Sequence, residues 1–140
     1  KRVLLMHTEQ GGVGIMKVVV GVKNTSGHEL VGVSVVDKVP RVLQSPTDFG
    51  AHKPEHVKQV PDGIMIMWKI PHLKRGEEVM VSYKMAGKMQ LLGRIVLPRA
   101  VAKAMLGAKK FVGRSPVVTL KGSLERACAN KPTCMLHGSA

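Results

Sequence analysis

Two cysteines near the end of the chain, Cys128 and Cys134, flank Ala-Asn-Lys-Pro-Thr, and His137 follows them. Thiols at this spacing either close a small disulfide loop in an oxidising compartment or remain free. The loop would be short, so a bridge there would remove little chain entropy. A zinc site would need a fourth ligand, and Cys-x5-Cys-x2-His is not a zinc spacing; no metal is expected. Asn24-Thr25-Ser26 fits the N-glycosylation acceptor pattern and falls in a turn cluster, which makes Asn24 a candidate acceptor in an exported protein. His52 and His56 stand four apart, but Pro54 between them argues against a shared helix face. Asp37, Asp48, Glu55, Asp62, Glu77 and Glu78 form no recognisable acid/base pair, and Ser34, Ser82 and Ser115 lack a Gly-x-Ser-x-Gly setting. Gly11-Gly12-Val13-Gly14 lacks the Lys-Ser/Thr of a phosphate loop and reads as a flexible entry to a strand. The expectation is a protein without catalytic residues and without a cofactor.

Charge points to a different kind of chemistry. Lys and Arg number 22 against 9 Asp and Glu, a formal charge of +13. Such a surface attracts nucleic acid, anionic lipid or acidic polymers. Arg94, Arg99, Lys103, Lys109, Lys110 and Arg114 form a candidate basic patch for phosphate contacts. The basic residues are spread along the chain without a dense run, which also fits an ordinary lysine-rich solvated surface. Readers of single-stranded nucleic acid stack bases on aromatic rings. Here the rings are Phe49, Trp68, Tyr83 and Phe111, and two of these read as buried.

The elements that would position such residues read as strands. A chain of 140 residues with 44% hydrophobic content makes one domain with a sizeable core. Aromatic residues are 3% of it, so Val, Ile, Leu and Met must fill that core, and Val in quantity favours strands. Met16, Val18, Val20 and Val22 point one way, with Lys17 and Lys23 among the residues pointing the other. Val31, Val33 and Val35 alternate with Gly32 and Ser34 up to Asp37-Lys38-Val39-Pro40. After a proline-rich connection from 41 to 61, with a short strand at Val57 to Val60, the Asp62-Gly63 turn launches Ile64, Ile66, Trp68 and Ile70. Gly76-Glu77 then leads into Val79, Val81, Tyr83 and Met85. Met65, Met67 and Met80 lie on one nominal outer face, read as covered by the long connection or by another molecule and as a candidate docking surface. Residues 99 to 110 fit either a basic amphipathic helix or a strand that turns at Gly107 and returns through Val117, Val118 and Leu120; the strand reading is preferred. The expected organisation is a lead-in at 1–13, a β-sandwich at 14–121, and a tail or linker at 122–140. No apolar run reaches the ~20 residues that cross a bilayer. The chain opens on Lys1 without a secretory signal pattern, as a piece of a longer protein would.

The succession Asn24-Thr25-Ser26, then Val35, Asp37, Val39 and Pro40, then Asp62-Gly63, then Trp68-x-Ile70-x-x-Leu73-x-x-Gly76-Glu77 resembles the archaeal and bacterial cell-surface repeats of the DUF11 and CARDB type. Leu97-Pro98 and Ser115-Pro116-Val117-Val118 correspond loosely to the closing strands of such repeats. The resemblance covers roughly residues 14 to 121 and implies an all-β, immunoglobulin-like antiparallel β-sandwich of about seven strands. It also implies a non-catalytic module of a larger surface or envelope protein, an extracellular setting, and a role as spacer or protein-interaction domain. Its partners would be other protein domains or neighbouring repeats. The alternative drawn from charge is an intracellular module binding nucleic acid or a ribonucleoprotein.

Overall fold

The computed structural model describes residues 1–9, 13–88, 94–121 and 134–136. Alternation of apolar and polar side chains produces long strands wherever it was legible: β2 (Val13–Lys23), β3 (Leu30–Pro40), β5 (Gly63–Leu73) and β6 (Glu78–Lys88). Shorter strands complete the set: β1 (Arg2–Glu9), β4 (His56–Val60), β7 (Arg94–Leu97), β8 (Val101–Leu106), β9 (Lys109–Arg114), β10 (Val118–Lys121) and β11 (Cys134–Leu136). All pairings between strands are antiparallel.

One sheet runs β11-β1-β2-β6 and the other β4-β5-β3-β8-β9, with β10 and β7 as a separate pair. The order β1-β2-β6 facing β5-β3-β8-β9 is the immunoglobulin-like arrangement of a three-strand layer against a layer extended by one strand. Those seven strands make the antiparallel sandwich, to which β4, β7, β10 and β11 add.

The core lies between the layers. Met16, Val18 and Val20 of β2 meet Val33, Val35 and Val39 of β3, Ile66, Trp68 and Ile70 of β5, and Val81, Tyr83 and Met85 of β6. Trp68 and Tyr83 join the two sheets, their rings stacked with centroids 6.1 Å apart and planes at 27°. The turn into β5 needs a glycine: Gly63 has φ 154°, and a Cβ there would strike the carbonyl oxygen of Val39.

Several sequence expectations change. The segment read as a lead-in holds β1, which pairs with β2 from Arg2↔Val19 to Glu9↔Val13. The segment read as a tail holds β11, which pairs with β1 through Leu5↔Cys134. Residues 101–114 are a hairpin turned at Gly107 (φ 61°), and its returning strand is β9 rather than residues 117–120; Val118 begins β10, which pairs with β7. Inward Ala102 and Ala104 alternating with Lys103 and Met105 favour the strand, since a helix would scatter them. On β3 the alternation breaks at Gly32 (φ 65°), so Leu30 and Val33 are buried while Val31 is exposed.

Candidate functional site

The most concentrated polar chemistry is sealed inside the sandwich. Asp37 shares the inward parity of Val33, Val35 and Val39, and a carboxylate placed there must find donors. It accepts from Lys1 Nζ at 2.9 Å, from the Tyr83 hydroxyl at 2.7 Å and from the backbone N–H of Lys38 at 2.9 Å. Lys1 Nζ also donates to the carbonyl of Pro98 at 2.9 Å. Both charged side chains are fully shielded from solvent. Burial first, then the Asp37 charge and their shared hydrogen bond, hold the Tyr83 hydroxyl well above its ordinary pKa, so it remains a neutral donor. The three groups tie β3 of one sheet to β6 and to the residue preceding β1 of the other. Lys1 also lines a cleft between the sheets. Trp68 Nε1, also in the core, has no hydrogen-bond partner among the described residues.

A second polar node surrounds Asn24. Its Nδ2 donates to the carbonyls of His28 (2.6 Å), Leu73 (2.9 Å) and Lys74 (3.2 Å), while Oδ1 accepts from the Ser26 N–H (3.0 Å) and hydroxyl (2.6 Å). Its backbone clamps the β5–β6 turn, donating to Glu77 O at 2.9 Å and accepting from Gly76 N at 3.0 Å. Asn24 is buried, and its amide nitrogen is the atom a glycan would need. In the folded chain the acceptor triplet acts as a structural clamp, with the Asn24 amide engaged rather than presented at the surface.

The surface chemistry gathers on the outer face of the five-stranded sheet. Residues paired across strands share a face, which places His56, Met67, Val36, Val101 and Arg114 in one row. Lys69, Ser34, Lys103 and Val112 make the next row, with Met105 opposite Lys110 beyond them and Lys58, Met65 and Lys38 on the other side. No Asp or Glu occupies a strand position on this face. Asp62, in the β4–β5 turn, approaches Lys38 at 3.5 Å. Of the expected basic patch, Lys103, Lys110 and Arg114 come together here. Lys109 lies on the opposite side of the hairpin, its ammonium 5.2 Å from the Phe111 ring centroid. Arg99 is exposed in the connection before β8. Arg94 belongs to β7, opposite Lys121, and its side chain lies outside the described residues.

Met65 and Met67 are half-buried on this face, whereas Met80 is exposed on the outer face of the other sheet; the three do not form one surface. The long connection reaches the edge of β5, where Glu55 N donates to Met67 O at 2.8 Å. Its earlier part follows the edge of β6, where Gln44 N donates to Ala86 O at 2.8 Å and Thr47 pairs with Lys84. Lys84 also holds Asp48 at 2.9 Å, and this hydrogen bond and charge keep the Asp48 carboxyl below its ordinary pKa. Cys128 and the side chain of Cys134 lie outside the described residues, and with them the disulfide expectation.

Between the sheets a cleft of about 640 Å³ opens beside the end of β2. Val20 and Val22 of one sheet line it, as do Val33, Val35, Leu73, Ala102, Ala104 and Phe111 of the other, and Lys1 lines it too. Lys23 and Arg114 stand among the residues at its rim. Among the described residues, no group of three or more His, Cys, Asp or Glu could hold a metal. Among them there is also no helix long and apolar enough to cross a membrane, which says nothing of a β-barrel.

Sequence reasoning missed the Lys1–Asp37 pair and the cleft. The first had a visible signal, a carboxylate on the apolar parity of β3. The second had none, because its lining comes from β2, β3, β8 and β9, which lie far apart in sequence.

No family model and no curated protein matches the chain. Among solved structures it is similar to the GH20 exo-β-N-acetylglucosaminidase from Vibrio harveyi, both in complex with N-acetylglucosamine and as an inactive mutant. Each match has a TM-score of 0.45 and 10% identity, covering 80% of this chain and 17% of that one.

Proposed function

We propose that this chain is a non-catalytic immunoglobulin-like module of a larger cell-surface or envelope protein, of the DUF11/CARDB kind, acting as a protein-interaction domain or spacer. One observation carries the reading: the outer face of the five-stranded sheet mixes Lys38, Lys58, Lys69, Lys103, Lys110 and Arg114 with Met and Val and bears no carboxylate on its strands. Mixed cationic and apolar surface is complementary to an acidic, partly apolar protein surface, and Met adapts to irregular contacts. The polar groups of the Asp37 and Asn24 clusters are already engaged with one another or with backbone groups, which directs the reading to the exterior.

A second reading is phosphate contact with nucleic acid, favoured by Lys103, Lys110 and Arg114 sharing one face. It would depend steeply on salt. Fluorescence anisotropy with a labelled glutamate–tyrosine copolymer, duplex DNA and single-stranded RNA, each at low and high salt, separates the two. The interaction reading expects the copolymer to bind and to keep part of its affinity at high salt. Failure of the copolymer to bind even at low salt overturns that reading, and absence of nucleic-acid binding at low salt removes the second.

A further inference from the structure

The outer face of the five-stranded sheet has an internal order. Met67, Val36 and Val101 stand directly opposite one another on β5, β3 and β8, so they form an apolar row that crosses the strands. His56 closes the row at one end and Arg114 at the other. Cations flank it on both sides, Lys58 and Lys38 in one neighbouring row, Lys69 and Lys103 in the other. The three apolar side chains are half-buried, while Lys58, Lys69, Lys103 and Arg114 are exposed. Among the described residues, Lys38 alone of these cations meets a carboxylate, that of Asp62 at 3.5 Å. An apolar stripe with unneutralised positive charge on either side is therefore presented to solvent.

We propose that this row seats an acidic amphipathic helix of another protein. The helix lies across the strands, its apolar stripe on Met67, Val36 and Val101 and its bordering carboxylates on the flanking lysines. Neighbouring strands are ~4.8 Å apart, so the row from Met67 to Val101 spans ~9.6 Å. Helix residues seven apart share a face and lie ~10.5 Å apart along the axis, with one further anchor between them. An extended segment repeats its inward side chains every ~6.8 Å and falls out of step with the row after one strand. The flanking rows stand ~6.8 Å to either side, within reach of side chains bordering a helix ~10 Å wide. From His56 to Arg114 the face offers ~19 Å, the length of ~13 helical residues. Arg114 favours the negative, C-terminal end of the helix above it. A second copy of this chain makes a poor occupant, because two surfaces of a +13 molecule repel each other. The inference deepens the protein-interaction reading, on which it rests, by naming the partner's secondary structure and direction.

The test uses the whole 140-residue chain and an acidic peptide of ~18 residues whose leucines recur at every third or fourth position between glutamates. One control redistributes the same residues so that no stripe forms, and another carries a central proline. Fluorescence anisotropy should find the striped peptide bound at least ~tenfold more tightly than either control, and its helicity by circular dichroism should rise on binding. Val101→Lys should weaken it at least ~tenfold by placing a charge in the apolar row. Val36→Thr, expected to weaken it ~threefold, is the milder variant should the first fail to fold. A spin label at the peptide's C-terminus should broaden the amide signals of Val112–Arg114, and one at its N-terminus those of His56–Lys58. Equal affinity for the striped peptide and its controls, indifference to both variants, or labels that broaden signals along a single strand overturns the proposal. Tighter binding of phosphatidylglycerol vesicles or of duplex DNA at the same face makes a lipid surface or nucleic acid the occupant and overturns it likewise. The glutamate–tyrosine copolymer is measured alongside. Copolymer binding without preference for the striped peptide refutes the helix and leaves the basic face standing, whereas failure of both refutes both.

Discussion

Replacing Asp37 with alanine removes the acceptor shared by Lys1, Tyr83 and the Lys38 N–H. The Lys1 ammonium keeps one partner, the carbonyl of Pro98, in a setting with no solvent contact. Breaking a buried ion pair by removing one member costs ~3–5 kcal/mol. The orphaned Tyr83 hydroxyl costs a further ~1–3 kcal/mol when it finds no other acceptor. The two terms overlap, because Lys1 and Tyr83 relax together, so the expected loss is ~4 kcal/mol, a large share of the ~5–15 kcal/mol that holds a domain together. Urea denaturation followed by tryptophan fluorescence measures it. The companion variant Lys1→Met/Asp37→Leu removes both charges, and it should recover at least half of the loss because desolvation offsets much of the pair's attraction. A single variant within ~1 kcal/mol of the parent would refute the reasoning, as would a double variant less stable than Asp37→Ala alone.

Tyr83 is the chain's one tyrosine, and its hydroxyl is held well above the ordinary value of 10.0. Its contribution to stability is therefore full below about pH 10 and declines as pH rises from there toward the folded value. Urea midpoints across that range should fall more steeply for the parent than for Tyr83→Phe; parallel curves would contradict this. Trp68→Ala should cost ~3–5 kcal/mol by truncating a buried large aromatic. Trp68→Phe should cost less than half as much, since it keeps a ring against Tyr83 and deletes the unpartnered N–H; equal losses in denaturation would count against the packing described. Asn24→Ala should cost ~2–3 kcal/mol by leaving buried carbonyls without donors. In a glycosylating host the parent should emerge unmodified at Asn24 by intact-mass analysis, and a glycan there would refute the clamp.

What was legible came from period and punctuation. The inward set Ile66, Trp68 and Ile70, and its counterpart Val81, Tyr83 and Met85, followed from alternation between Asp62-Gly63 and Gly76-Glu77. Gly107 marked the hairpin that resolved residues 101–114 into strands. Strand β1 was illegible because Arg2–Glu9 runs through continuous apolar residues without clean alternation, and its role depends on long-range pairing with β2. Asn24 was misread as exposed because a glycosylation triplet and a turn clamp use the same residue types. The three methionines were read as one surface, yet Met65 and Met67 belong to β5 and Met80 to β6, which lie in different sheets. The pairing of Lys1 with Asp37 spans 36 residues, beyond what spacing conveys.

The division between an interior that holds the fold and a basic outer face that meets a partner is tested most directly by Lys103→Glu, Lys110→Glu and Arg114→Glu combined, with stability and copolymer binding measured on the same sample. These exposed substitutions should shift stability by no more than ~0.5 kcal/mol each while abolishing copolymer binding. Undiminished binding, or a collapse of the fold, would contradict it.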